Sequence, residues 1–125
     1  MKEKELNKYY YLKKEVEDLE ERIETYDVGV SSVRVKELNV DSSPQFISIQ
    51  EKVVELKDKW MQKRVEALEE YIKIESFIDR VDDAEIRILL RYRYLDLLSW
   101  EQIGEKVFMD RTSVSKKIRK FLNNK

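Results

Sequence analysis

The sequence predicts an all-α chain: two long helices, arranged as a coiled-coil-like hairpin or as a dimer, followed by a small three-helix unit that ends in a helix-turn-helix. Three observations predict it. Only two glycines and one proline occur in 125 residues, too few for the turns a sheet protein needs. Hydrophobic residues make up 42% and charged ones 41%, the balance of amphipathic helices with one apolar stripe each. Apolar residues also recur at spacings of three and four along most of the chain, which is the period of a helix and not of a strand.

The first helix is expected from Lys2 to about Tyr26. Tyr9, Leu12, Val16, Leu19, Ile23 and Tyr26 form its stripe, and the other faces are almost wholly charged. Within Tyr9-Tyr10-Tyr11, the first tyrosine belongs to the seam and the others to its flank. Gly29 and Ser31-Ser32 then interrupt the pattern, and residues from about 27 to 44 are read as a linker, with "SVRVKELNV" the only part that reads at all like a strand.

A second stripe runs through Phe46, Ile49, Val53, Leu56, Trp60, Ala67, Tyr71, Ile74, Ile78 and Val81. It predicts a helix from about Pro44 to about Arg80, roughly 55 Å long at 1.5 Å per residue, with the proline suited to a first turn. The repeat falters around Lys63 and Arg64. Neither long helix buries its stripe alone, so residues 1–81 are read as an oligomerisation region, with a homodimer favoured.

Residues 82–125 are read as a separate domain. Asp82 or Asp83 caps a helix whose buried face is Ile86, Leu89, Leu90, Tyr94 and Leu97. Ser99 with Gln102 matches a capping box, in which each side chain satisfies the other residue's backbone N–H. Trp100, Ile103 and Val107 are the apolar face of that short helix, and Gly104 allows a close crossing. After the turn "FMD", Asp110 is expected to cap a last helix that buries Val114, Ile118 and Phe121 or Leu122. Three short helices in this order make a helix-turn-helix.

Charge says what such a unit is for. From Ala84 onward the chain carries ten basic and five acidic residues, a balance of +5, whereas residues 1–83 carry 15 and 21, a balance of -6; together these give the net charge of -1. A polyanion is therefore expected to meet the C-terminal end. If the last helix buries Val114, Ile118 and Phe121, its outward residues are Arg111, Thr112, Ser113, Ser115, Lys116, Arg119 and Lys120. Cations and hydroxyls together bind phosphates and read base edges. The first turns of the second helix enter the major groove in such motifs, which places Arg111, Thr112, Ser113 and Lys116 nearest the bases. Lys117, Arg119 and Lys120 are assigned to phosphates, with Arg91 and Arg93 as secondary contacts.

Other classes fit less well. Without cysteine there are no disulfides and no thiol chemistry, and without histidine the commonest general base and transition-metal ligand are both missing. Asp82-Asp83 do not make a metal pair, because neighbours at a helix start point in different directions, and no Gly-rich phosphate loop accompanies them. Neither an enzyme nor a cofactor is expected. No apolar run approaches the roughly 20 residues of a membrane span, and "MKEKELNKYY" has no apolar signal-peptide core, so a cytoplasmic location is expected.

"RYLDLLSWEQIGEKV", Arg93 to Val107, followed by "MDRTSVSKKIRKFL", resembles the C-terminal part of phage and prophage transcriptional regulators of the ArpU and RinA type, itself similar to region 4 of sigma-70 factors. The charged first helix, the linker ending in "SP" and the long second helix extend the resemblance over nearly the whole chain. It implies a sequence-specific regulator of phage genes, typically late or packaging genes, in a Gram-positive host, with double-stranded DNA as partner and host RNA polymerase as a second candidate. Two departures stand out: Leu97 and Phe108 occupy turn positions where the family commonly has glycine, and Asp110 stands where it usually has a capping serine. Two other readings fit the same features: a small terminase-like protein that assembles on DNA for packaging, and a coiled-coil adaptor that binds polymerase with little DNA affinity of its own.

Overall fold

The computed structural model describes the backbone of residues 1–36 and 44–124 and the side chains of residues 1–26 and 48–124. Within these residues the chain is all-helical: α1 (Glu3–Lys36), α2 (Pro44–Asp79), α3 (Ala84–Leu90), α4 (Trp100–Val107) and α5 (Arg111–Asn123), with a five-residue π-helical segment, Arg91–Leu95, continuing α3. Pro44 is the first residue of α2, where its missing N–H and fixed φ are tolerated.

α1 is longer than expected. The linker expected from about residue 27 is helical through Lys36, so that the part of the strand-like "SVRVKELNV" up to Lys36 is helix, and residues 37–43 lie outside the described residues. The physical reason is that a running helix stops only at a breaker. Gly29 costs about 1 kcal/mol and each valine a few tenths, whereas the next proline is Pro44.

The chain divides into two compact units. Leu12–Glu66 form one of them. Among its described side chains, Leu12 and Val16 of α1 and Val53 and Leu56 of α2 are the buried apolar ones. Lys63 pairs with Glu15 at 3.4 Å, and the Trp60 indole N–H donates to Glu20 at 3.0 Å. As the position on α1 rises, its partner on α2 falls, so the two segments run antiparallel. The polar interruption of the second stripe at Lys63 is thus occupied by an ion pair with the facing helix, of the exposed kind that contributes little net stability.

Met1–Tyr11 and Ala67–Lys125 form the other unit. Residue 82, the expected start of a separate domain, lies inside it. Leu6, Ile74, Ile78, Leu89, Leu90, Ile103, Val114 and Ile118 are fully buried there. Tyr9 meets Tyr71 edge-on with ring centroids 5.5 Å apart, and the buried Glu70 is held by Lys8 at 3.3 Å and Lys73 at 3.4 Å. The Asp83 carboxylate accepts the Glu85 N–H at 2.9 Å, which starts α3. Arg87 donates to the Val81 and Asp82 carbonyls and so satisfies acceptors in the turn after α2. The π-helical segment was not anticipated. It brings Leu95 inside beside Tyr94, because Leu89 with Leu90 and Tyr94 with Leu95 share a spacing of five, the repeat of a π turn.

Candidate nucleic-acid interface

α4 begins as the sequence requires. The Ser99 hydroxyl accepts the Gln102 N–H at 3.1 Å while the Gln102 side chain accepts the Ser99 N–H at 2.9 Å, a complete capping box. Ile103 and Gly104 face inward.

The turn that follows is set by two backbone demands. Phe108 ends α4 in the left-handed region at φ 56° and ψ 48°, and the Met109 N–H donates to the Gly104 carbonyl at 2.9 Å. Gly104 has the Met109 carbonyl oxygen where a Cβ would stand, with the Arg111 nitrogen 3.4 Å from that position. The glycine therefore admits the backbone entering α5. Leu97 ends the preceding helical segment in the same way at φ 58°, and the Leu98 N–H returns to the Tyr92 carbonyl at 2.9 Å. Both turns have the left-handed residue that glycine normally supplies, built here with leucine and phenylalanine.

Asp110 occupies the cap position of α5 with extended backbone, but its side chain accepts no cap hydrogen bond. The expected cap is thus positional only, and the carboxylate contributes through its charge at the positive end of the helix.

α5 packs against α3 and α4 through Val114, Ile118 and Leu122; of the two alternatives for its last buried position, Leu122 is buried and Phe121 half-buried. Thr112, Lys116 and Lys120, spaced four apart, line the opposite face and are exposed, as is Arg111 at the first turn. The remaining candidates occupy its flanks. Ser113 and Ser115 are half-buried, and the Ser115 hydroxyl donates to the Thr112 carbonyl at 3.1 Å. Lys117 is ion-paired with Glu85 of α3. Arg119 is exposed on the side of α4, its guanidinium 5.7 Å from the Trp100 ring centroid.

The same indole carries the Arg93 guanidinium at 3.9 Å, and Arg93 also donates to the Leu98 carbonyl at 3.1 Å. Arg91 pairs with Asp79 at 2.6 Å. Both secondary phosphate candidates are thus engaged within the fold. A hollow beside the turn, about 710 Å³, mixes signs: Glu101, Glu105 and Asp110 line it together with Arg111 and Lys117. The purely cationic part of α5 is therefore the Lys116 and Lys120 face. Sequence reasoning missed Trp100 as a platform for two guanidiniums; an aromatic residue in a strongly basic segment was the available signal.

Beneath this unit, burial pushes the Tyr94 phenol up to about 12, helped by the nearby Glu3 carboxylate. Its hydroxyl is buried and has no hydrogen-bond partner. Among the described residues, no three acidic side chains gather as a metal site, and no helix is long and apolar enough to cross a membrane.

No protein-family model, curated protein or solved structure matches this chain.

Proposed function

We propose that this chain is a double-stranded-DNA-binding transcriptional regulator of the kind phages and prophages use for late or packaging genes, acting as a homodimer in the cytoplasm of a bacterial host. α5 is the element that enters the major groove. One observation carries the reading: a capped short helix and a tight turn present a second helix with Val114, Ile118 and Leu122 buried and Thr112, Lys116 and Lys120 exposed on the opposite face. A groove-reading helix needs this arrangement, since its inner face must be fixed before its outer face can address base edges.

Arg111, Thr112, Ser113 and Lys116 are then nearest the bases, and Lys120 and Arg119 hold phosphates. Lys117 contributes less, because Glu85 already neutralises it. Contact with host RNA polymerase decides whether such a protein activates or represses.

Salt dependence of DNA binding tests the assignment. Each phosphate contact contributes about 0.9 to the slope of log affinity against log salt. Lys120→Ala is expected to flatten the slope by roughly that amount on any sequence, and Lys117→Ala by clearly less. Lys116→Ala is expected to relax preference at particular base pairs. Unchanged slope and affinity in both Lys120→Ala and Lys116→Ala would remove α5 from the DNA.

A further inference from the structure

α2 carries two apolar faces, and among the described residues one is buried while the other is largely exposed. Val53, Leu56, Ala67, Ile74 and Ile78 are buried. About 130° round the helix, at 100° per residue, lies a second row: Met61, Val65, Leu68 and Ile72 are 54%, 48%, 57% and 59% exposed. Their spacings of four, three and four follow a heptad seam. α2 is one continuous helix from Pro44 to Asp79, so helical geometry alone relates these positions.

We infer that this row is the homodimer interface and that it pairs with the same row of a second copy as a parallel two-stranded coiled coil. The inference deepens the homodimer in the proposed function but does not depend on DNA. The residue types select the occupant. With Met61 and Leu68 at d, Val65 and Ile72 fall at a, and β-branched residues at a with unbranched or γ-branched ones at d are the combination that favours two parallel strands. The flanking charges select the orientation. Arg64 falls at g and Glu69 at the e position of the next heptad, which face each other between parallel chains. Antiparallel pairing sets g against g and e against e, so Lys57 and Arg64 would meet basic residues and Glu55 and Glu69 acidic ones.

The seam is short. Asp58 falls at the preceding a position and faces its own copy, which separates exposed Val54 from the rest. Two copies bury on the order of 1,000 Å² in all, at the weak end of specific interfaces. A dimer that forms on concentration, and on two half-sites, fits that size.

Sedimentation of the full chain without DNA tests this. The mass is expected to rise from 15.2 kDa towards twice that value over roughly 1 to 100 μM. Leu68→Glu should hold it at the monomer value with helicity unchanged, because the side chain is exposed within one chain. Asp58→Leu should tighten dimerisation at least about tenfold by joining Val54 to the seam. The chain has no cysteine, so Leu68→Cys supplies the only thiol, and in a parallel pair it should oxidise to a disulfide-linked dimer, since paired d positions lie close enough for one. A monomer throughout, or a dimer indifferent to both Leu68→Glu and Asp58→Leu, overturns the interface. A dimer sensitive to both whose Leu68→Cys variant fails to cross-link overturns the parallel pairing. A monomer that still protects a discrete DNA site overturns this inference and the homodimer while leaving DNA recognition by α5 standing, whereas a dimer with no DNA affinity leaves the inference standing and removes the DNA-binding reading.

Discussion

Phe108 and Gly104 meet opposite demands at one turn. Phe108 is strained, a bulky residue in the left-handed region, and at 95% exposure it gains almost nothing from packing there. Phe108→Gly should therefore raise stability by about 0.5–1 kcal/mol, the usual size of the left-handed penalty less glycine's entropy. Gly104→Ala should lower it by about 1–3 kcal/mol, because the obstructing atom is a backbone carbonyl that cannot swing aside. Urea unfolding of both variants checks the pair, and a neutral Gly104→Ala would mean that the turn is looser than its geometry.

Tyr94 gives a pH prediction. The folded chain holds the phenol near 12, chiefly by burial, while the unfolded chain ionises it near its ordinary value of about 10. Between these values the unfolded state has already lost the proton that the folded state keeps, so stability falls as pH rises from about 10 to about 12 and is unaffected by this group below that range. The loss amounts to on the order of 2 kcal/mol. Tyr94→Phe should remove this part of the alkaline decline. At neutral pH it should change stability by less than about 1 kcal/mol, since the buried hydroxyl makes no hydrogen bond that phenylalanine would forfeit. Wild-type and variant curves that fall in parallel above about pH 10 would contradict the assignment.

At the scale of the element, two caps that look alike in sequence differ in structure. Ser99 exchanges both bonds of its capping box with Gln102, whereas Asp110 accepts none. Ser99→Ala should thus destabilise by about 1 kcal/mol and Asp110→Ala by only a few tenths, from its charge at the helix start. Equal effects would show that Asp110 caps α5 in solution.

What was legible among the elements was what short-range chemistry fixes. The stripes, Pro44 at the start of α2 and the Ser99-Gln102 box each depend on residues within a turn or two of one another. The end of α1 was not legible, because Gly29 and a run of valines look like a linker but are not strong enough to stop a helix already formed. Neither were the left-handed residues at Leu97 and Phe108. Those conformations are imposed by the packing of successive helices, and leucine and phenylalanine carry no local sign of them. The π-helical segment belongs with these, since its spacing of five becomes meaningful only once Tyr94 and Leu95 are known to be inside.

At the scale of the whole molecule, the outward face of α5 followed from sequence because burying Val114 and Ile118 forces Thr112, Lys116 and Lys120 away from the core. The state of each flanking cation did not follow. Lys117 meets a carboxylate 32 residues away in the chain, and Arg119 shares an indole with Arg93; such pairings belong to the tertiary fold and leave no periodic trace. The second row on α2 was visible as letters but not as a surface, since only the structure shows which stripe the first helix covers. Under the proposed function and pairing, one helix-turn-helix would bind weakly and two held by a short seam would bind two half-sites together, so that occupancy would rise steeply with concentration.

The most direct test of the central claim is a footprint of the purified protein across fragments of its own genome at near-physiological salt, against an excess of unrelated DNA. Discrete protection beside a promoter, in two patches about one helical turn apart and lost in Lys116→Ala, is the predicted result. Protection confined to packaging genes away from any promoter would contradict the transcriptional role, and no discrete protection at all would contradict DNA recognition itself.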